Sequence, residues 1–184
     1  MLINYGYIPF PTYEIKCLNK GQKLTDGMID YLINKIFNQL NLNEKYHYIP
    51  TYFHMIEQID WKKYKNFEKT FIVLNQDNHW FLFVYEPKKL KFHLYDPLPS
   101  EDESVIDIEL LPIGDDDIIE DYYGIIGNQG KSKTNCGIFV LLYVIGLLTK
   151  QNLSFNYDEK YINNIIRKKF IQFLNDEITV DKIF

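Results

Sequence analysis

The sequence predicts a single α+β domain over residues 1–184, with a mixed central sheet flanked by helices. Three observations support this prediction: a helical apolar repeat after Thr25, a run of strand-like segments between residues 71 and 95, and a helix-length apolar segment that begins at Cys136. No internal repeat or low-complexity linker divides the chain, so we expect one domain.

The first predicted helix begins after Thr25, a residue type that commonly caps helix N-termini, and Asp26 then lies in its first turn. Apolar residues recur at helical spacing and predict a helix with one buried side; they are Met28, Ile29, Leu32, Ile33, Ile36, Phe37 and Leu40. Residues 41–69 are mixed in character and are predicted to form short helices and loops.

Residues 71–75 and 81–85 are rich in β-forming residues and apolar on both faces, which predicts two central strands. Residues 90–95 form the next predicted strand, and its polar face places His93 in solvent. If the turn is even in length and centred on Pro87 and Lys88, Phe83 pairs with Phe92, and His79 lies opposite Asp96 on the apolar face.

The rest of the chain is predicted to hold an acidic connection and two helices. Residues 101–121 contain ten acidic and no basic side chains, which is typical of a solvated loop or of an acidic lip for a basic partner. Short strands are expected near residues 108–111 and 122–126. The apolar segment after Cys136 predicts a buried helix, and residues 157–178 predict an amphipathic helix with Arg167 on its polar side.

Composition excludes several classes of function. The net charge of −5 gives no overall field that favours a nucleic-acid backbone. The longest apolar run, from Gly137 to Leu148, is too short to span a bilayer, and Pro9 and Pro11 interrupt an N-terminus that lacks the basic start of a signal peptide. We therefore expect a soluble protein of a reducing cytosol.

The cysteine and histidine residues predict neither a metal site nor a fold that depends on disulfides. Cys17 and Cys136 could form one disulfide, but nothing else in the sequence indicates an oxidising compartment. No spacing of cysteine and histidine resembles a metal-ligand set, so neither a metal nor another cofactor is predicted.

Four residues form a candidate catalytic group. Cys136 follows a polar loop and begins a helix, where the helix dipole favours a thiolate. His79 could receive the thiol proton, and Asp96 could orient the imidazole through its other nitrogen. Gln129 could donate to the oxyanion of an acyl-transfer reaction, together with the backbone N–H of Cys136. The simpler alternatives are a buried structural cysteine and a structural His79–Asp96 pair.

The order of these residues resembles the ubiquitin-like-protein-specific cysteine proteases, which include SUMO and NEDD8 proteases and viral and bacterial deubiquitinases (clan CE, peptidase family C48). The resembling segments are LTDGMIDYLINKIF, TYFHMIEQIDWKKYKNF, HWFLFVYEPKKLKFHLYDPL and NCGIFVLLYVIGLL, and they cover most of the chain. The resemblance implies a papain-like fold with a circularly reordered chain, in which the nucleophile comes last.

By the same resemblance, Cys136 is the nucleophile, His79 the base, Asp96 the orienting group and Gln129 the oxyanion donor. It also implies a substrate site formed by Trp80, Asn135, Lys23 and Asp26, in which Trp80 roofs a narrow channel for a Gly-Gly tail. Packing in the core is the alternative role for Trp80.

Three positions depart from the family pattern. The oxyanion glutamine usually lies one residue nearer the cysteine, so Gln129 precedes an insertion or Gly130 has taken its place. Lys23 stands where a second channel tryptophan is common, and Asn135 stands where aspartate often precedes the nucleophile.

The function implied is that of a cysteine isopeptidase that cleaves ubiquitin or a ubiquitin-like modifier after its C-terminal Gly-Gly. Its partners would be modifiers and their conjugates, and it would act in the cytoplasm or nucleus, of a host cell if it is viral or bacterial. Two alternatives remain open. One is a protein acetyltransferase of the same clan, and the other is a catalytically silent module that binds modifiers.

Overall fold

The computed structural model describes residues 12–51, 59–98, 118–121 and 127–184, with only the backbone described for 12–14 and 118–121. Two predicted strands, near 108–111 and 122–126, lie outside these ranges, as does most of the acidic segment. None of the helices in the described ranges is long and apolar enough to cross a lipid bilayer.

Two helices open the described chain. Helix α1 (Thr12–Asn19) was not predicted, and helix α2 (Asp26–Leu40) begins where the sequence predicts it. The Thr25 hydroxyl accepts a hydrogen bond from the backbone N–H of Met28 at 3.1 Å, as an N-cap does. The apolar side of α2 is buried, which confirms the helical repeat.

A five-stranded mixed sheet forms the centre of the fold, in the order β1 to β5. Its strands are β1 (Tyr46–Ile49), β2 (Lys69–Gln76), β3 (His79–Glu86), β4 (Lys91–Tyr95) and β5 (Ile118–Asp121). The β1/β2 and β4/β5 pairs are parallel, whereas β3 runs antiparallel to both of its neighbours, β2 and β4. The prediction of helices and loops over 41–69 was wrong at β1, where four residues add a strand to the sheet.

The predicted register of the β3–β4 hairpin was wrong by two residues. Phe83 pairs with Leu94, and Tyr85 pairs with Phe92. The reason is that Leu90 belongs to the turn: its φ is 52° and it is 69% exposed. A shift of two residues preserves the two faces of the sheet, because side chains alternate with a period of two. The apolar face was therefore predicted correctly although the pairs were not.

His93 is buried, whereas the sequence placed it in solvent. Strand β5 pairs along β4 and covers this edge. On the neighbouring strand, buried Glu86 contacts His93 Nε2 at 3.5 Å and forms ion pairs with Lys69 at 2.5 Å and Lys89 at 2.6 Å. Burial would raise the pKa of Glu86, but the two lysines and His93 outweigh it and lower this pKa to about 2.

Helix α3 (Cys136–Thr149) packs against one face of the sheet, mainly on β3, and nearly all of its side chains are buried. This confirms the buried helix predicted from the apolar segment. A smaller apolar cluster covers the other face, and it includes Phe81, Phe83 and Phe92. This packing places the N-terminus of α3 beside the N-terminal end of β3.

The closing helix is shorter than the predicted span 157–178. It consists of α4 (Glu159–Tyr161), a π-helical turn (Ile162–Ile166) and α5 (Arg167–Leu174). The prediction that Arg167 lies on the polar side was wrong, since it is only 1% exposed. The π turn is wider than an α turn and so rotates the residues that follow it, which moves Arg167 inward.

Candidate active site

Cys136 is the first residue of α3 and is 1% exposed. Backbone N–H groups of Trp80 and Gly137 donate to its sulfur. The N-terminus of α3 adds a partial positive charge at the same place. These features favour a thiolate at Cys136.

His79 lies at the start of β3, directly after a two-residue turn in which Asp77 and Asn78 have φ values of 47° and 63°. Such positive values at both central positions form the tight turn that joins twisted antiparallel strands. The imidazole Nε2 lies 2.7 Å from Asp96 Oδ1, so Nδ1 is the nitrogen left for the thiol.

Asp96 directly follows β4 and is completely buried. Its Oδ1 also accepts the backbone N–H of Leu98 at 2.9 Å, which fixes the carboxylate beside the imidazole. The structure therefore brings Cys136, His79 and Asp96 together in the order thiol, imidazole, carboxylate. The His79–Asp96 contact forms despite the register error, because Asp96 lies past the end of the strand, where strand pairing no longer fixes its position.

The charges of this group are strongly coupled. Burial would lower the pKa of His79, but hydrogen bonds with Asp96 and Cys136 outweigh it and raise this pKa to about 9. Burial would likewise raise the pKa of Cys136. The hydrogen bond with His79 and those from the backbone N–H groups outweigh burial, so the pKa of Cys136 is lowered overall. At neutral pH the geometry thus favours an imidazolium beside a thiolate.

Gln129 lies in the loop before α3 and is buried. Its backbone N–H donates to the carbonyl of Pro97 at 2.7 Å, which joins this loop to the residue after Asp96. The side-chain Oε1 is buried and has no hydrogen-bond partner among the described residues. Gly130 is exposed, with a φ of 56°, and forms part of the turn. The oxyanion role of Gln129 stays a prediction.

The residues predicted to line the substrate site occupy different environments. Trp80 is 7% exposed, and its indole N–H donates to the carbonyl of Leu24 at 2.9 Å, so it belongs to the core and contacts the residue before the Thr25 cap of α2. Lys23 Nζ donates to the carbonyl of Asn78 at 2.6 Å, next to His79. Asp26 is exposed at the start of α2.

Asn135 points inward rather than toward solvent. It has no exposed surface, and its Oδ1 accepts hydrogen bonds from Arg167 Nη2 at 2.8 Å and Nε at 3.2 Å. Sequence reasoning missed Arg167 as part of the site. One signal was present, because Arg167 precedes the apolar Phe170 by three residues and so shares its side of the helix.

Cys17 and Cys136 do not form a disulfide. Within the described ranges, no three His, Cys, Asp or Glu side chains cluster in a way that could hold a metal ion.

Comparisons by sequence find no matching protein-family model and no significantly similar curated protein. Solved structures do match. SUMO protease Ulp1, with its catalytic cysteine oxidised to a sulfinic acid, is 19% identical, with a TM-score of 0.65 over 89% of this chain and 83% of that chain. The C-terminal Ulp1 protease domain in complex with Smt3, the yeast ortholog of SUMO, is 20% identical, with a TM-score of 0.64 over 90% and 82%.

The Ulp1-like SUMO protease catalytic domain of Chaetomium thermophilum matches at 15% identity, with a TM-score of 0.58 over 83% of this chain and 72% of that chain. These likenesses confirm the mixed α+β architecture, whereas the circular reordering relative to papain stays a prediction. The chain therefore has the fold of the Ulp1-type SUMO protease catalytic domain.

Proposed function

We propose that this protein is a cysteine protease that cleaves ubiquitin or a ubiquitin-like modifier after its C-terminal Gly-Gly. The observation that carries the proposal is the hydrogen-bonded group of Cys136, His79 and Asp96 at the N-terminus of α3. A helix-terminal thiol, a base and an orienting carboxylate are the parts that nucleophilic acyl transfer needs. The fold supports the proposal, because solved structures that share it include SUMO proteases.

In the proposed reaction, the Cys136 thiolate attacks the carbonyl carbon of the modifier's last glycine, and the oxygen becomes an oxyanion. The Cys136 backbone N–H and the Gln129 amide donate to that oxyanion. Collapse breaks the C–N bond, and the His79 imidazolium gives its proton to the leaving amine. Water then attacks the thioester while His79 takes its proton, and collapse of the intermediate breaks the C–S bond. This step releases the modifier with a free C-terminal carboxyl group and restores the Cys136 thiolate beside the His79 imidazolium.

The substrate would reach the sulfur between Trp80 and the Lys23–Asn78 contact. Only glycine lets a backbone pass very close to the walls of such a site, so a Gly-Gly tail suits it. The modifier in the Ulp1 complex is Smt3, which makes a SUMO-type modifier the first candidate. The chemistry requires Cys136 as a free thiol, and the cytosol and the nucleus are compartments that keep thiols reduced.

The test is a panel of ubiquitin, NEDD8, SUMO and ISG-type modifiers, each with a propargyl or vinyl-sulfone warhead at its C-terminus. We expect a covalent adduct with at least one modifier, on Cys136, identified by mass spectrometry. The Cys17→Ala variant is the matched control and should still form the adduct, whereas Cys136→Ala should not.

Other outcomes would replace the proposal. Binding of a modifier without any adduct would indicate a silent binding module. Acetylation of Cys136 by acetyl-CoA, with transfer to a protein, would indicate the acetyltransferase. If a substrate with a C-terminal fluorophore is not hydrolysed and no warhead reacts, the protease proposal fails.

A further inference from the structure

Arg167 is a fully buried cation whose guanidinium is bound only by neutral oxygen atoms among the described residues. Nε donates to Asn135 Oδ1 at 3.2 Å and to Asn163 Oδ1 at 3.1 Å. Nη1 donates to the carbonyl of Cys17 at 3.1 Å, and Nη2 donates to the carbonyl of Thr134 at 3.0 Å and to Asn135 Oδ1 at 2.8 Å. The hydrogen bonds thus fix the group without neutralising it.

No carboxylate of the described residues forms an ion pair with Arg167. A buried charge without a counter-charge is unfavourable, even when it is hydrogen-bonded. Burial lowers the pKa of Arg167, and the thiols of Cys17 and Cys136 oppose this, which leaves its pKa at about 10. The guanidinium is therefore still positive at neutral pH.

This charge is held against the residues that immediately precede the proposed nucleophile. Thr134 and Asn135, which Arg167 binds, lead directly into Cys136 at the start of α3. The hydrogen bonds reach from α5 to this loop and to α1, so the position of the guanidinium relative to the loop is fixed.

Arg167 also directly follows the π-helical turn, and its backbone N–H donates to the carbonyl of Ile162, five residues earlier. Such turns occur frequently at functional sites, since the extra residue redirects the side chains that follow. Here the redirected side chain is the buried arginine.

The ionisable groups that interact with the Cys136 thiol, with its His79 partner or with Arg167 come from four parts of the fold. His79 comes from β3, Asp96 lies behind the imidazole after β4, Cys17 comes from α1, and Arg167 comes from α5. The positive charge of His79 is matched by Asp96. The positive charge of Arg167 has no such match among the described residues.

We propose that Arg167 is a positioning residue that stabilises the thiolate of Cys136, and that the neutral side chain of Asn135 keeps the charge of Arg167 available to that thiolate. The proposal rests on the proposed function insofar as the thiolate is the nucleophile. It is tested on the thiol itself, without a substrate.

The first test is the Asn135→Asp variant, which keeps the size of the side chain and places a carboxylate against the guanidinium. The fold should tolerate it, because Asn135 Nδ2 is buried without a hydrogen-bond partner among the described residues and the variant removes that donor. We expect alkylation of Cys136 by iodoacetamide at about pH 6 to become roughly tenfold slower, with the acid limb of its pH profile moved to higher pH.

A second variant separates the effect of Arg167 from direct repulsion between neighbouring charges. Asn163→Asp places a carboxylate on the same guanidinium from its own helix, at a contact that is now 3.1 Å. We expect it to slow alkylation in the same direction. Asn164→Asp is the matched control, because Asn164 is exposed in the same π turn and should leave the profile unchanged.

A structural role alone predicts a different result. Arg167 would then bind the new carboxylate, thermal stability would hold or rise, and the alkylation profile would not move. Folded Asn135→Asp and Asn163→Asp proteins with the wild-type profile overturn the inference. A shifted profile in a protein that reacts with no modifier would support the inference while refuting the protease.

Discussion

Asp96 is expected to set the protonation state of the candidate site, and the Asp96→Asn variant tests this. The amide has the size of the carboxylate and keeps an oxygen that can accept from the imidazole and from the backbone N–H of Leu98. The substitution therefore removes a charge while the contacts retain their geometry.

The structure allows the size of the effect to be worked out. The pKa of His79 is about 9, compared with an ordinary value of 6.5. This difference corresponds to about 3 kcal/mol in favour of the imidazolium. Burial of His79 acts in the opposite direction, so its partners supply more than this amount, and Asp96 leads the favourable contributions. If Asp96 supplies half of this stabilisation of the imidazolium, its loss lowers the population of the thiolate–imidazolium pair at least about tenfold.

The assay is alkylation of Cys136 by iodoacetamide across about pH 5 to about pH 10, in a Cys17→Ala background so that one thiol reports. The pair forms as pH rises through the lowered pKa of Cys136, and it is lost as pH rises through the raised pKa of His79. Wild-type reactivity should therefore begin at a pH below that of an ordinary thiol. In Asp96→Asn, reactivity at about pH 6 should fall about tenfold or more, and modifier hydrolysis should fall about 10²- to 10⁴-fold.

The matched control is Asp77→Asn, which removes one negative charge in the exposed turn before His79. It should leave both measurements near the wild-type values, because a surface charge is screened by solvent. A folded Asp96→Asn protein with the wild-type alkylation profile would refute the reasoning, since the carboxylate would then have no influence on the thiol.

Three further predictions concern stability, measured by urea unfolding. Glu86→Gln should destabilise the protein by about 1–2 kcal/mol at pH 7, allowing for solvent around its lysine partners. Because the pKa of Glu86 in the folded protein is about 2 and its ordinary value is 4.5, this difference in stability should shrink as pH falls from about 4.5 toward 2. A difference that stays constant with pH would contradict the prediction. Trp80→Phe should cost about 1–2 kcal/mol, because the buried Leu24 carbonyl loses its 2.9 Å hydrogen bond, and an unchanged unfolding midpoint would show that water replaces the indole. Gly127→Ala should cost at least about 2 kcal/mol, since an added Cβ would lie 2.3 Å from the Phe155 ring and 2.4 Å from its carbonyl oxygen; a neutral effect would mean that this backbone shifts easily.

Local patterns in the sequence were sufficient for several parts of the fold. Helix α2 and its Thr25 cap follow from apolar spacing and a capping residue within a few positions of each other. Helix α3 follows from an apolar run of helix length, which indicates a buried helix. The central strands followed from their apolar residues in the same way, and a hairpin shift of two residues left their faces unchanged.

The candidate site was only partly accessible to the same reasoning. The types and order of Cys136, His79 and Asp96 indicated a thiol, a base and an orienting group before any distance was known. The hairpin argument placed His79 opposite Asp96 through a register that the structure corrects. Their contact forms because Asp96 lies beyond the strand end and is fixed there by the backbone of Leu98.

The sequence by itself determined that α2, α3 and the central strands β2, β3 and β4 have buried sides, because those preferences depend on neighbours close in sequence. The tertiary structure decided whether individual polar residues are buried or exposed. His93 is buried because β5 pairs with β4, and Arg167 is buried because a π turn redirects it toward Asn135. Burial of a charge depends on hydrogen-bond acceptors that arrive from distant parts of the chain, such as the carbonyls of Cys17 and Thr134, and local sequence carries no record of them.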